Sequence, residues 1–233
     1  MKTNKLLLNN NTTNNPDFYN IAMLIEYDGS NFYGFQKQNS AVRTVQSAIE
    51  LAIKKFINTE VTIINAGRTD TGVHASYQVI NFITNVKRHE HQWLSALNSL
   101  LPSDIVIKNV KFAPNNFNSR FDAISRTYSY YLLSSNIRPV ILNKKVGWVY
   151  YNLNIENMRL AINFLLGEHD FSSFRASKCQ SNTAIRKVYN ISINPVISHE
   201  LLSFLPSNAC LLKFEITANA FLYHMIRNIM GAI

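Results

Sequence analysis

The chain has 233 residues, with 23 Lys and Arg against 14 Asp and Glu, and its formal net charge of +9 favours an anionic partner. Because 47% of the residues are hydrophobic, the chain can bury one large core or two small ones, which excludes global disorder. Its two cysteines, Cys179 and Cys210, are too few for a disulfide framework or a four-cysteine zinc site, and they fit a reducing cytoplasm. No stretch approaches the roughly 18 uninterrupted apolar residues of a membrane helix, so we expect a soluble protein.

The first half of the sequence predicts strands and helices in alternation. Residues 1–17 are rich in asparagine and lack apolar periodicity, so we expect a disordered tail there. Alternating apolar residues from Tyr19 to Tyr27 then predict a strand, and Thr44 is a plausible N-cap for an amphipathic helix over Val45 to Ile57. Further strands are predicted at residues 61–66, 75–84 and 104–112, and a further helix at 92–101.

The second half repeats this plan loosely. Strands are predicted at residues 126–133, 146–150, 185–193 and 210–217, and helices at 154–166 and 221–233. Clean alternation of apolar and polar residues is typical of antiparallel sheets with one covered face, so we predict an α+β fold. The two halves, 18–112 and 113–233, would leave a cleft between them as the natural place for a site.

The segment AGRTDTGVHA, residues 66–75, lies between two predicted strands. Asp-x-Gly at such a place is ordinary turn chemistry, with the carboxylate accepting from the backbone and Gly72 at positive φ. Arg68, however, stands two residues before Asp70, where an extended chain would put both side chains on one face and keep the carboxylate ionised. Gly67 and Gly72 would let another backbone or a nucleotide approach closely. Asp70 is therefore a candidate for chemistry as well as for a turn.

Five strings in order resemble the tRNA pseudouridine synthase A family: EYDGSNFYGFQKQ, AGRTDTGVHA, SRFDAISRTYSYYL, GEHDFSSFRASKCQS and NAFLYHMIRNIMG. The resemblance covers residues 19–233. It implies the pseudouridine synthase fold, in which two ferredoxin-like or RRM-like halves share a central mixed, mainly antiparallel sheet. It also implies isomerisation of uridine to pseudouridine at positions 38, 39 and 40 of the tRNA anticodon stem-loop, with no metal or other cofactor.

By the same resemblance Asp70 is the catalytic residue, acting on the ribose as a nucleophile or as a base; the sequence leaves both open. The target nucleotide must be extruded from its stack, and the resemblance implies that Tyr128 lies against the uracil. Tyr130 and Tyr131 are expected in the core instead, because strands are rich in tyrosine. Arg227 of the last helix is implied to pair with the catalytic carboxylate, although a lone arginine usually decorates a helix surface.

The positive charge is expected to serve tRNA phosphates, through binding that is salt-dependent and tolerant of stem sequence. The resemblance also implies a homodimer in which tRNA crosses both subunits. Candidate phosphate contacts are Lys37, Arg43, Arg88, Lys144, Lys145, Arg175, Lys178, Arg186 and Lys187.

Three further expectations concern the remaining motifs. His74 and His224 have no third ligand at a recognisable spacing, so no metal site is expected. The segment from Gly167 to Phe171 resembles a family loop at the entry to the second half, for which we expect a structural role. Family members usually continue past the last helix, so Ile233 suggests a truncated or shortened chain. A non-catalytic RNA-binding protein and a glycosidic hydrolase remain rival hypotheses.

Overall fold

The computed structural model describes residues 18–38, 40–177, 179–197 and 204–233. The predicted tail at residues 1–17 lies outside these ranges. The chain divides into two compact units at residues 122 and 123. Both units combine helices with a sheet, which confirms the predicted α+β class.

The first unit contains a four-stranded antiparallel sheet in the order β2-β3-β1-β4. Its strands are β1 (Tyr19–Tyr27), β2 (Ile64–Asn65), β3 (Ala75–Thr84) and β4 (Ile105–Ala113), and its helices are α1 (Val45–Ile57) and α2 (Glu90–Leu100). The predicted bounds of β1, α1 and β3 are confirmed.

The core of the first unit lies between its helices and its sheet. The predicted apolar stripe of α1 is buried at Val45, Ile49 and Ile53, and Thr44 accepts from the Ser47 N–H as the predicted N-cap. Trp93 of α2 is fully buried and meets neighbouring rings edge to face. The helices therefore cover one face of the sheet, as the alternation along β1 predicted.

Strand β2 is shorter than the predicted 61–66. Only Ile64 and Asn65 pair with β3, whereas the Ile63 N–H donates to the Glu50 carboxylate of α1 (3.2 Å). The chain before Ile64 is thus bonded to helix α1 and does not extend the pairing with β3.

The second unit contains a mixed sheet whose five described strands lie in the order β6-β5-β9-β8-β7; among these strands only β5 and β6 pair in parallel. Its described strands are β5 (Arg126–Ser134), β6 (Gly147–Val149), β7 (Gly167–Asp170), β8 (Ile185–Pro195) and β9 (Cys210–Ala218), and its helices are α3 (Ile155–Asn163) and α4 (Met225–Ala232). Its core joins apolar residues of β9 and β8 to those of α3 and α4. That the two sheets join into one central sheet stays a prediction.

Both helices of the second unit are shorter than predicted. After Asn163 the N–H groups of Phe164 and Leu165 donate to carbonyls three residues back, and Gly167 then turns the chain with φ +101°. Helix α4 starts at Met225 because His224 takes a left-handed φ of 60°. The polar segment at β7, predicted as a loop, pairs with β8 through main-chain bonds that its sequence did not signal.

The boundary between the units lies C-terminal to the expected division at residues 112 and 113. The Asn20 side chain of β1 donates to the carbonyls of Pro114 (2.9 Å) and Phe117 (2.8 Å), and the Ser119 N–H donates to the Asn81 side chain (2.9 Å). Two buried asparagines thus attach the segment after β4 to the first sheet.

Two glycines let the segment after β1 approach the loop that carries Asp70. A Cβ on Gly29 would lie 2.0 Å from the Val73 carbonyl oxygen. A Cβ on Gly34, which has φ +85°, would lie 2.9 Å from the Thr69 carbonyl oxygen. The two backbones can pack this closely only because neither glycine has a side chain.

We therefore predict that Gly34→Ala destabilises the first unit and displaces the Asp70 loop. The added methyl group meets both an unfavourable φ and a carbonyl oxygen, so the free energy of unfolding should fall by about 2 kcal/mol. Chemical denaturation measures this loss. As a control, Gly231→Ala adds a methyl group in open space on α4 and should leave stability unchanged or raise it by up to about 1 kcal/mol. A Gly34→Ala protein as stable as the parent would contradict the packing described.

Candidate active site

The loop that carries Asp70 spans residues 66–74 and connects β2 to β3. Its first residues are tied to β3 at two points: the Ala66 N–H donates to the Val79 carbonyl (2.9 Å), and the Gln78 side chain bonds both the N–H and the carbonyl of Gly67. Gln78 is itself buried. The start of the loop is therefore as fixed as the strand beside it.

The middle of the loop is tied to the segment that follows β1. The Thr69 carbonyl accepts from the Phe35 N–H (3.0 Å), and the Thr69 hydroxyl lies 2.7 Å from the Tyr27 hydroxyl. The Gly72 N–H donates to the Phe32 carbonyl (3.3 Å). These contacts flank Asp70 on both sides along the chain and so fix its backbone.

Asp70 itself begins a tight turn. The Val73 N–H donates to the Asp70 carbonyl (3.1 Å), and Gly72 takes φ +78°, as the turn interpretation of Asp-x-Gly predicted. Open space surrounds the position of a Cβ on Gly72, so this glycine serves the backbone angle rather than a close approach. Asp70 is half-buried, neither in bulk solvent nor sealed in the core. The turn and the chemical interpretation of Asp70 are thus compatible.

Arg68 lies on the same loop but not on a strand. Because residues 66–74 are outside the strands, the expected sharing of one strand face by Arg68 and Asp70 does not apply. The Arg68 side chain is largely exposed. Partial burial lowers the pKa of its guanidinium, and the positive charge of Arg120 lowers that pKa further.

Tyr128 lies on β5 opposite Ile216 of β9. It is half-buried, and its ring meets the ring of Phe221 edge to face at a centroid distance of 5.0 Å. Next to it, the Arg126 guanidinium donates to the carbonyls of Ala123 (3.1 Å) and Asn219 (2.8 Å). The bonds of Arg126 therefore hold the start of β5, and the Tyr128 ring packs against Phe221.

The neighbouring tyrosines differ from Tyr128. Tyr130 packs against the second core and reaches Gly147 of β6, where a Cβ would lie 2.5 Å from its hydroxyl oxygen. Tyr131 lies on the opposite face of β5 and is more exposed. The expectation that Tyr130 is a core residue is confirmed. The same expectation for Tyr131 is wrong, because 37% of its surface is exposed.

Arg227 lies on the exposed side of α4, whose buried side is formed by Met225 and Ile229. The Asn228 side chain donates to the Phe174 carbonyl (2.9 Å), which holds this helix against the turn after β7. Arg68 and Asp70 thus belong to the first unit, and Tyr128 and Arg227 to the second. The pairing of Arg227 with Asp70 stays a prediction.

Some of the candidate phosphate contacts have structural roles. Arg43 forms a bidentate ion pair with Asp104 at 2.7 Å and lies over the Phe32 ring. Arg186 is only 7% exposed and donates to the Thr183 and Ile185 carbonyls, so it is not available to a phosphate. Arg175 similarly donates to the carbonyls of Cys179 and Ser181. Lys178 lies outside the described residues.

The histidines take part in local contacts. His74 Nδ1 lies 3.1 Å from the Gly29 nitrogen and 2.9 Å from an Asp28 carboxylate oxygen, which joins the end of the Asp70 loop to the segment after β1. The ring of His224 stacks on that of Tyr223 at 3.9 Å. Within the described ranges, no cluster of three or more His, Cys, Asp or Glu could hold a metal ion.

Sequence reasoning missed Tyr27, Gly29, Gly34 and Gln78 as supports of the candidate site. A signal was present in the string EYDGSNFYGFQ, where two glycines alternate with aromatic residues beside a strand end. Glycine at such places often marks close backbone approach. Gln78 gave no signal, since a glutamine within a strand is usually an exposed residue.

The buried Tyr27 hydroxyl generates a prediction about alkaline pH. Burial raises the pKa of Tyr27 above its ordinary value of 10.0. Above pH 10 the unfolded chain therefore loses this proton before the folded protein does, so stability falls as pH rises. We predict that Tyr27→Phe reduces the loss of stability between pH 9 and 11, measured by urea denaturation. At neutral pH the same variant should be less stable than the parent by about 1 kcal/mol, because it lacks the hydrogen bond to Thr69.

The matched control is Tyr33→Phe, which removes an exposed hydroxyl from the adjoining segment. It should keep the pH dependence of the parent. Identical alkaline slopes in Tyr27→Phe and in the parent would contradict the assigned role of the Tyr27 hydroxyl.

The part of the chain that the structure describes contains no helix of the length and hydropathy needed to cross a bilayer.

The tRNA pseudouridine synthase family matches residues 23–122 and 161–233. The tRNA pseudouridine synthase A of Nitrosomonas europaea is 43% identical over 93% of this chain and 75% of its own length. That of Nitrosomonas eutropha is 42% identical over 91% of this chain and 72% of its own length. The corresponding protein of Escherichia coli O1:K1 / APEC is 41% identical over 94% of this chain and 76% of its own length. This chain belongs to the tRNA pseudouridine synthase family.

Proposed function

We propose that this protein isomerises uridine to pseudouridine in tRNA and that Asp70 is its catalytic residue. The observation that carries this proposal is the half-buried Asp70 in a turn whose backbone is fixed from both sides, within a chain of this family. A rigid turn suits a reaction in which one carboxylate must meet one sugar atom, because catalysis requires placement within about 0.5 Å.

The proposed reaction breaks the bond between ribose C1′ and uracil N1, turns the detached base and joins C1′ to C5. The proton that leaves C5 is balanced by the proton gained at N1, so atoms and electrons are conserved and no cofactor is required. The Asp70 carboxylate acts either as a nucleophile at C1′ or as a base that removes the 2′ proton to give a glycal. Both routes need an ionised carboxylate, which neighbouring guanidiniums favour.

Tyr128, Arg68 and Arg227 complete the proposed site. The target uridine must leave its stack at a cost of a few kcal/mol, which a stacking ring offsets, and we assign this role to Tyr128. We assign Arg68 to RNA binding and Arg227 to an ion pair with Asp70. The fixed backbones of β5 and of the residue 66–74 loop support these roles.

The finer specificity follows from the resemblance. We propose positions 38, 39 and 40 of the anticodon stem-loop as the targets, a homodimer that binds tRNA across both subunits, and the cytoplasm as the compartment. The net charge of +9 supports a polyanionic substrate. Recognition through shape and backbone would allow neighbouring uridines in many tRNAs to be modified.

We predict that Asp70→Asn abolishes pseudouridine formation but changes tRNA affinity by no more than a few fold, because affinity depends mainly on phosphate contacts. Mapping of pseudouridine in tRNA and a binding titration measure the two effects. The matched control is Glu60→Gln, which also removes one carboxylate charge from the first unit but at an exposed surface pair with Lys54. It should retain activity.

The outcomes separate the rival functions. A fully active Asp70→Asn protein would overturn the assignment of the catalytic residue. Release of free uracil by the parent would favour a glycosidic hydrolase, since water would then have trapped the sugar. Tight tRNA binding without modification of any tRNA would favour the non-catalytic RNA-binding protein.

We also predict that Tyr128→Leu lowers kcat/KM by about tenfold or more, because base–aromatic stacking contributes about 1–3 kcal/mol per base. Tyr128→Phe keeps the ring and should stay within a few fold of the parent. Tyr131→Leu, on the opposite face of β5, serves as the control and should retain activity. Steady-state kinetics on a tRNA transcript measure these effects, and equal losses in the two leucine variants would argue against a stacking role.

A further inference from the structure

The SRFD segment, residues 119–122, is attached to the first unit at the base of the Asp70 loop. The Ser119 hydroxyl donates to the Ile64 carbonyl of β2 (2.9 Å), and the Ser119 N–H donates to the Asn81 side chain of β3 (2.9 Å). Ile64 and Asn81 are themselves paired across the two strands. The segment therefore lies beside the edge strand from which the Asp70 loop emerges.

A compact turn fixes the backbone of Arg120. The Asn118 side chain accepts from the N–H groups of Arg120 (3.0 Å) and Phe121 (3.3 Å), and the Asp122 carboxylate accepts from the Asn118 N–H (2.8 Å). The Arg120 side chain is exposed, and its guanidinium carbon lies 5.6 Å from the centroid of the Phe121 ring. Phe121 is 77% exposed. An arginine and an aromatic ring are thus presented to solvent from a rigid turn.

The bond from Ser119 to Ile64 places Arg120 next to the strand that ends three residues before Arg68. The positive charge of Arg120 contributes to the lowered pKa of Arg68, so the two like charges repel one another. Folding attaches the segment that carries Arg120 to the sheet edge from which the Arg68 loop emerges, although 51 residues lie between the two arginines in the sequence. An anion that bridges two guanidiniums would replace this repulsion with attraction, and each guanidinium has five N–H donors, enough to bind an oxyanion besides its other contacts.

We propose that Arg68 and Arg120 together bind one phosphodiester group of the RNA strand that contains the target uridine. Arg68 stands two residues before Asp70, so this phosphate would lie near the reacting nucleotide. The forked donors of arginine match the geometry of phosphate oxygens. The exposed Phe121 ring adds a surface on which an unstacked base can lie. This inference rests on the proposed function and adds Arg120 as a substrate-binding residue.

The test compares Arg120→Ala, Arg120→Lys and the matched control Arg138→Ala, which removes the same charge from an exposed position in the second unit. Binding of a tRNA transcript is titrated over a series of salt concentrations. Arg120→Ala should weaken binding by about tenfold and reduce the slope of log K against log salt by about 0.7–0.9, the change expected for one phosphate contact. Arg120→Lys should restore the slope but only part of the affinity. Arg138→Ala should match the parent.

A second measurement identifies the phosphate on the RNA. A stem-loop RNA with the target uridine carries a single uncharged methylphosphonate, moved one position at a time around that uridine. At one position the parent should lose about tenfold in affinity, and Arg120→Ala should lose nothing further there. The loss in the parent shows which phosphate is bound, and the comparison with Arg120→Ala assigns that phosphate to Arg120.

The inference is overturned if Arg120→Ala has the salt slope and affinity of the parent. It is also overturned if, at every methylphosphonate position, the affinity losses caused by the variant and by the methylphosphonate are additive. A loss of thermal stability without a change in slope would also overturn it, by making Arg120 a structural residue. Failure of the proposed function would look different. The parent would then form no pseudouridine, whereas these binding measurements are made without turnover and can be repeated in Asp70→Asn.

Discussion

The close contact between the segment after β1 and the loop of residues 66–74 is the constraint on which the candidate site depends. Two backbones meet there at distances that would exclude any side chain on Gly29 or Gly34. Main-chain bonds from Phe35 and Phe32 then hold the loop on either side of Asp70. Such bonds do not depend on rotamers, so they fix the backbone position of Asp70 independently of side-chain packing.

The supports around this contact come from different parts of the first unit. Tyr27 contributes a buried hydroxyl to Thr69, and Gln78 satisfies both polar groups of Gly67. Ser119 attaches the SRFD segment to the same sheet edge. Removing one partner would leave a buried polar group unsatisfied, at a cost of about 1–3 kcal/mol. The loop is therefore held by hydrogen bonds from Tyr27 and Gln78 as well as by its main-chain bonds.

The structure separates arginines that bind groups of the protein itself from arginines that are exposed, a distinction that sequence alone cannot make. Arg43, Arg175 and Arg186 bind a carboxylate or backbone carbonyls and hold loops in place. Arg68 and Arg120 instead have exposed side chains in the first unit, and the charge of Arg120 lowers the pKa of Arg68. We propose these two as RNA-binding cations. The net charge of +9 is consequently a poor guide to which cation meets RNA.

The sequence by itself determined the elements with strong periodicity, such as β1, α1 and β3. When one face of a strand or helix is buried, apolar residues recur at the spacing of that element, and this spacing can be read from the sequence. It also determined the family and Asp70 as the catalytic candidate, through the motif AGRTDTGVHA. The tertiary structure decided the rest. The packing of Gly34, the hydrogen bonds of Gln78 and the pairing of the polar strand β7 all depend on partners distant in sequence. The same is true of the short β2. Such contacts leave no local pattern, since each residue is selected by a neighbour that only folding supplies.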